Sequence, residues 1–385
     1  MNTKTSNTKF SNKHFLTNLF RLTAISFALC VLGGQPQRAF SQSASSTPSA
    51  NPPQANALRD GAHDFDFNLG VWHTHIRRML DPFASQTNFI ELDGTVTIRK
   101  VWGGRGLLEE IEADGPKGHW EGLSLFLYNP ESHQWSQSFL NSKTPSLNPL
   151  VGSFKDGRGE LFQQDTFHGK SILVRAVWSV VTPNEHHYEE DFSNDGGKTW
   201  AVSFTATKTR EQAESTSDVA AGAEPRSSAP EGHEFDFDLG TWKTHSSRLL
   251  HPLTGSTTWA ELDGVTVVKK VWNGRANVAE VKMYTPTGPL QILSLRWFNP
   301  ATQEWNIDFA TPNAGTLGIP AVGQFKNGRA DFYDYEPING KSVLVRFSIW
   351  ETGADTAQSE QAFSEDGGKT WEVNWITHYS RIKER

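Results

Sequence analysis

The chain states one pattern twice. Residues 63–210 and 233–381 align end to end at an offset of 170 that drifts to 171 past the middle, with roughly a third of the aligned positions identical, which marks two homologous units in tandem. At about 150 residues, each unit is long enough to bury its own core. The duplication also acts as a filter. A residue kept in both copies points to the shared fold or to a shared site, and a residue present in one copy is not essential to both.

The first forty residues belong to neither unit. Lys4, Lys9, Lys13 and Arg21 come with no acidic residue, an apolar run follows at 22–32, and Ala39-Phe40-Ser41 is a small-x-small sequence. This reads as a secretory signal peptide over residues 1–41, cleaved after Ser41, with an apolar run too short to span a bilayer. The expectation is an exported protein, periplasmic or extracellular, with no membrane insertion after cleavage. Cys30, the sole cysteine, lies in that run; without small residues before it, a lipoprotein signal is a weak alternative, and the mature chain has no thiol chemistry. Loss of Lys4, Lys9, Lys13, Arg21 and Arg38 takes the net charge from −7 to −12. A mature chain this acidic, with no basic run, argues against nucleic-acid or anionic-lipid partners. Residues 42–60 and 211–232 are rich in Ser, Ala and Pro with almost no aromatics, as a tether and an interdomain linker would be. The domains are then residues 61–210 and 233–383.

Inside each copy the hydrophobic period is two. Ile90, Leu92, Val96 and Ile98 alternate with Glu91, Asp93, Thr95 and Thr97, and Leu123, Leu125 and Leu127 alternate with Ser124, Phe126 and Tyr128. Turn residues such as Asn129-Pro130, Asp156-Gly157, His168-Gly169 and Asp195-Gly196-Gly197 punctuate the chain at short intervals. About ten strands per copy follow, with no long amphipathic helix. An antiparallel sheet of that size removes its open edges by closing into a barrel or packing as a sandwich.

The openings of the two copies narrow this choice. Phe65-Asp66-Phe67-Asn68-Leu69-Gly70-Val71-Trp72 recurs as Phe235-Asp236-Phe237-Asp238-Leu239-Gly240-Thr241-Trp242. A short helical turn, then Gly-x-Trp entering a strand, resembles the calycin superfamily that includes the lipocalins. The resemblance implies two tandem antiparallel up-and-down β-barrels of about ten strands. Trp72 and Trp242 would close the barrel bases, and Arg210 and Arg381 from the last strands would pack over them. The full pattern from Phe-Asp-Phe to Asp-Gly-Gly-Lys-Thr-Trp is similar to an uncharacterised bacterial calycin-like family, which brings a fold but no activity.

In the last hairpin of each copy, residues 193–200 and 364–371 match the Asp-box, Ser-x-Asp-x-Gly-x-Thr-Trp. Asp195 and Asp366 can satisfy backbone N–H groups, glycine supplies positive φ, and Trp200 and Trp371 cover the turn. A sialidase-like propeller would repeat this box once per blade of roughly 40 to 50 residues. One box per barrel-sized unit reads as a hairpin staple.

Candidate chemistry is sparse. His73-x-His75 meets Lys243 at the position of His73 in the other copy, and His186-His187 is unmatched, so no shared metal site is expected. His378 could serve haem in the second copy alone, since Thr207 stands in the first; no cofactor follows. The filter keeps Trp102, Glu110, Trp135 and Arg175 with their copies Trp272, Glu280, Trp305 and Arg346, and these are the candidate ligand-binding residues. Arg175 shares a face with Leu173 and Val177, so it is either outward and solvated or inward and in need of a partner such as Glu110. The expected role is binding of a small, partly apolar molecule in one or both barrels. Two alternatives stand beside it: interaction modules with filled barrels, packed on each other as an intramolecular pseudo-dimer, and a hydrolase or isomerase using Glu110 or Glu91 beside Arg175.

Overall fold

The computed structural model describes residues 60–85, 88–143, 147–211 and 232–383. The expected signal peptide, residues 42–59 of the tether and residues 212–231 of the linker lie outside them. The first unit is a 3₁₀ turn at Asp66–Asn68 followed by ten strands: β1 (Gly70–Met79), β2 (Phe89–Val101), β3 (Gly106–Gly115), β4 (Gly118–Asn129), β5 (Gln134–Asn141), β6 (Pro149–Lys155), β7 (Arg158–Phe167), β8 (Lys170–Thr182), β9 (Glu185–Ser193) and β10 (Ala201–Arg210). The second repeats this order after a 3₁₀ turn at Asp236–Asp238: β11 (Gly240–Leu249), β12 (Trp259–Val271), β13 (Ala276–Thr285), β14 (Gly288–Asn299), β15 (Glu304–Ala310), β16 (Ala321–Lys326), β17 (Arg329–Ile338), β18 (Lys341–Gly353), β19 (Thr356–Ser364) and β20 (Glu372–Arg381). Each strand pairs with its sequence neighbours, and the last closes on the first, giving two closed ten-strand antiparallel barrels. The ten-strand, all-β expectation is borne out.

Local sequence explains the meander. Asp156-Gly157 and His168-Gly169 both take positive φ and join β6 to β7 and β7 to β8 through two-residue loops, the geometry whose twist suits adjacent strands. A Cβ at Gly94 would lie 1.9 Å from the Glu112 carbonyl oxygen, so glycine alone lets β2 and β3 approach this closely. In the last hairpin Asp195 Oδ1 accepts from the backbone N–H groups of Lys198 and Thr199, each at 3.0 Å, and Oδ2 accepts from the Thr199 hydroxyl at 2.7 Å. These donors, the Thr199 N–H foremost, hold the Asp195 carboxyl well below the carboxylate range. Asp366 repeats the arrangement and is lowered to about 2.

The base of each barrel is built identically. The Trp72 indole N–H donates to the Asn68 carbonyl at 2.8 Å, and the Arg210 guanidinium lies 4.1 Å from the Trp72 ring centroid while donating to the Leu69 carbonyl at 3.0 Å. Trp242, Asp238, Arg381 and Leu239 form the same set at 2.7, 4.0 and 2.5 Å. Gly70 and Gly240 sit at φ 116° and 114°. A Cβ there would meet the arginine Nη1 at 2.8 and 2.9 Å, so the guanidinium seat needs glycine.

Strands β3, β4, β13 and β14 carry a second apolar face. Val101, Trp102, Leu108, Leu123, Leu125, Leu127 and Leu140 of the first barrel form one buried cluster with Val271, Trp272, Val278, Leu293, Leu295, Trp297 and Ala310 of the second. Each residue in one set is the repeat equivalent of one in the other. This is why β4 is buried on both faces from Glu121 to Leu127: Leu123, Leu125 and Leu127 meet the other barrel while Ser124 and Phe126 face inward.

Candidate functional site

The interior of the first barrel holds a cavity of about 490 Å³ that opens to solvent, within the range of about 300–1,000 Å³ that suits small molecules. Inward positions on successive strands line it, so its composition follows from strand parity. Ile76, Leu92, Ile111, Phe139, Leu150 and Phe204 supply apolar wall. Toward the β3–β4 turn the lining becomes Lys117, His119 and Trp120, with Lys143 nearby.

The floor is charged. Lys208 on β10 and Glu109 on β3 form an ion pair with both side chains only 3% exposed. Ser124 Oγ donates to Glu109 Oε1 at 3.0 Å, and Asn68 Nδ2 to Oε2 at 3.5 Å. The Lys208 ammonium lies 4.7 Å from the centroid of Trp178, whose indole N–H donates to Gln137 Oε1 at 3.1 Å. Burial pulls the Lys208 ammonium below its ordinary range despite the attraction of Glu109. Higher on the wall Ser203 Oγ donates to Glu190 at 2.8 Å, and burial raises both the Glu190 carboxyl and the neighbouring Tyr188 phenol. Beneath the floor His186 packs edge-on to Trp72 with ring centroids 4.3 Å apart. Burial, then Lys208 and Arg210, lower it to about 2, so this ring is neutral packing rather than a proton carrier.

The second barrel places Ala279, Tyr379, Ile307, Ile349, Ser359 and Gln361 where the first has Glu109, Lys208, Gln137, Trp178, Tyr188 and Glu190. Phe235, Phe298, Trp305, Ile307, Phe332 and Ile349 pack its interior. Hydroxyl pairs tie other inward positions, Thr244 with Thr266 at 2.9 Å and Ser246 with Thr377 at 2.8 Å. Its buried ion pair joins Arg296 on β14 to Asp238 in the 3₁₀ turn, at positions that do not match Glu109 and Lys208.

The structure separates the residues that the duplication filter had grouped. Trp102 and Trp272 lie in the cluster between the barrels at φ 56° and 55°, a strained conformation for a bulky residue that surrounding packing must enforce. Glu110 points outward, pairs with Arg99 and accepts the backbone N–H of Trp272 at 2.5 Å. Glu280 occupies the matching outward position on β13, beside Leu293. Trp135 and Trp305 point inward but serve the base: Trp135 donates to the Gly61 carbonyl at 2.9 Å and Trp305 to Glu234 at 3.1 Å. Arg175 is outward, because Ile172, Val174, Ala176 and Trp178 take the inner face. It pairs with Asp191 at 2.8 Å and stacks on Trp200 at 4.6 Å, and Arg346 stacks likewise on Trp371 at 4.7 Å. Glu91 lies on the outer wall with Arg77 and His75. The grouping of Glu110 or Glu91 beside Arg175 is therefore corrected: strand parity keeps all three out of the interior and apart. His378 is also outward and exposed, opposite His245 across the β11–β20 pair, so it is not an interior haem ligand. Among the described residues no group of three or more His, Cys, Asp or Glu is placed to hold a metal ion.

Polar bonds cross the junction in both directions: Asn129 Nδ2 and Ser136 Oγ of the first barrel donate to the Ala314 and Gly315 carbonyls of the second at 3.3 and 2.6 Å, while the acidic fringe at Glu112 and Glu121 belongs to the first barrel alone. Asn273 Nδ2 donates to Glu112 at 2.9 Å and to Glu121 at 2.8 Å, and Arg275 Nε donates to Glu121 at 2.6 Å. Burial works against the Glu121 carboxylate, but the Asn273 amide and the Arg275 guanidinium outweigh it and hold its pKa below the ordinary value. In the reverse direction Lys282 and Gln291 replace Glu112 and Glu121, and Gly103 replaces Asn273.

No family model matches the chain, and no curated protein is significantly similar to it. Solved structures align with it only loosely. A protein of unknown function from the DUF3598 family of Nostoc punctiforme is 11% identical, with 84% of this chain and all of that one covered and a TM-score of 0.23. An S-type phycobiliprotein lyase from Guillardia theta is 10% identical over 42% of this chain and 97% of its own, with a TM-score of 0.31. A mutant of transferrin binding protein B, a vaccine antigen from Haemophilus parasuis, is 6% identical over 82% and 76%, with a TM-score of 0.19. At these scores the likenesses carry no argument about function, and the architecture rests on the strand pairing itself.

Proposed function

We propose that the protein is an exported, calycin-like binder that holds a small, partly apolar molecule inside its first barrel. The observation that carries this reading is the cavity of about 490 Å³ with apolar walls and fixed polar groups at one end. Such a cavity stabilises a ligand by removing its apolar surface from water, while Lys208, Gln137 and Tyr188 fix its polar end. The second barrel takes a supporting part, as one half of an intramolecular pseudo-dimer. That part is supported by the apolar cluster, which draws equivalent residues from both units in the manner of a symmetric dimer contact. The signal-like N-terminus supports export to the periplasm or beyond.

The test is native mass spectrometry of the mature chain purified from its own host, set against the denatured mass. An excess of a few hundred daltons that is lost on denaturation is the expected result. A cavity that stays empty natively and admits no member of a panel of small amphipathic molecules would overturn the reading.

A further inference from the structure

The floor of the cavity sets a buried amine, Lys208, against a buried carboxylate, Glu109. A buried ion pair is weak evidence of stabilisation, because the cost of removing two charges from water offsets their attraction. The second barrel closes its own base with Arg296 and Asp238 and places Tyr379 where the first has Lys208. A lysine at this position is thus a property of the first barrel, and unlike arginine a lysine has an amine that condenses with carbonyl compounds.

We propose that Lys208 captures aldehyde ligands covalently, its ε-amine condensing with the carbonyl carbon to form an imine while Glu109 handles the proton; this rests on the cavity being a binding site. Lys208 reaches the cavity from the floor, in contact with Glu109 and 4.7 Å from the Trp178 ring centroid. Burial already weakens its hold on the proton, the usual way a lysine becomes nucleophilic. Ser124 and Asn68 fix the Glu109 carboxylate in place. Proton transfer from the ammonium to Glu109 frees the nitrogen lone pair, which attacks the carbonyl carbon as the carbon–oxygen π pair moves to oxygen. Glu109 returns that proton to the oxygen, giving a carbinolamine whose nitrogen is still protonated. A second proton passes from this nitrogen through Glu109 to the hydroxyl; the carbon–oxygen bond breaks, water leaves, and the nitrogen lone pair completes the double bond. An ammonium and an aldehyde thus become a protonated imine and water, with no oxidant or reductant. Glu109 ends as the counter-ion, and the Trp178 face supports the cation.

Cinnamaldehyde is a suitable probe and cinnamyl alcohol its unreactive counterpart. Cys30 is the only cysteine and falls in the signal segment, so no thiol in the mature chain competes for the probe. The mature chain is mixed with near-stoichiometric aldehyde, reduced with borohydride and mapped by peptide mass spectrometry, while binding of both probes is followed by calorimetry. The expected result is one adduct per chain, on Lys208, at an aldehyde excess that leaves surface lysines at least tenfold less modified. Lys208→Arg should lose the adduct, and Glu109→Gln should slow imine formation at least tenfold. Binding of both probes with Lys208 unmodified would overturn covalent capture and leave the binding site standing. Failure of both to bind would count against the cavity as a site for such molecules, and against capture with it. The wild-type adduct map decides the matter even if a variant fails to fold.

Discussion

Across the junction of the two barrels, the backbone N–H of Trp272 donates a hydrogen bond to the Glu110 carboxylate at 2.5 Å. That bond caps the apolar cluster on the side where Asn273 and Arg275 reach Glu112 and Glu121. Hydrogen bonds to charged groups contribute about 1.5–3 kcal/mol each, so the acidic fringe is a main directional element of a contact whose apolar cluster is symmetric.

Glu121→Ala should therefore lower the thermal stability of the protein by about 2 kcal/mol, because Arg275 and Asn273 lose a buried acceptor. The matched change in the other barrel, Gln291→Ala, should cost no more than about 0.5 kcal/mol. Calorimetric melting of the two variants compares them directly, and equal losses would contradict a one-sided fringe.

Asp308, buried and accepting the Trp297 indole N–H at 3.0 Å, has its carboxyl raised by burial from 3.8 to about 7. A raised folded pKa means the folded chain binds the proton more tightly, so this group costs nothing below about pH 4. The cost grows between pH 4 and 7 and is complete above that. Asp308→Asn keeps an acceptor for Trp297 and should stabilise the protein at pH 8, by at most on the order of 4 kcal/mol, with the gain fading toward pH 4. Denaturant melts across that range provide the check, and a gain that does not vary with pH would refute it.

The floor pair makes opposite predictions for single and double substitution. Glu109→Gln leaves the Lys208 ammonium buried without its counter-charge and should cost about 3–5 kcal/mol. Replacing both residues with methionine should return stability to within about 1 kcal/mol of the parent or above it. Urea unfolding of the three chains tests this, and a double variant as unstable as the single one would show that the pair serves the fold.

The Asp366 turn sets an acid limit on the last hairpin of the second barrel. Its carboxyl is lowered from 3.8 to about 2 by the Thr370 N–H, the Thr370 hydroxyl and Ser364. A depressed folded pKa gives a contribution that is complete above about pH 4 and disappears as pH falls through about 2. Amide protons of Lys369 and Thr370 should lose protection from exchange across that interval. In Asp366→Asn they should be less protected already at pH 6.

The repeat, the period of two and the ten strands were legible because each is local in sequence and recurs. The site was not, and Glu109 and Glu110 show why. Glu110 has a copy in Glu280 and passed the duplication filter; Glu109 faces Ala279 and failed it. Both barrels share a fold and a contact with each other, so comparing the copies selects base and junction residues such as Trp135, Trp272 and Glu110. A chamber whose floor carries Glu109 and Lys208 lies where the copies differ. One available signal was parity: Glu109 and Lys208 are charges on strand faces otherwise directed at the core, like Ile111 and Ala206. The orientation of Arg175 depended on which side of β8 the core occupies, and Trp178 with Val174 decided it.

The acids on one barrel and the amide and guanidinium on the other also determine what happens if the covalent link is cut. Two copies of the first barrel would bring Glu112 and Glu121 against Gly103 and Arg105, and two copies of the second would bring Lys282 toward Asn273 and Arg275. Only the unlike combination sets the Asn273 amide against both Glu112 and Glu121. Produced as separate halves, the barrels should behave as a lock and its own key, each taking up the other in preference to itself.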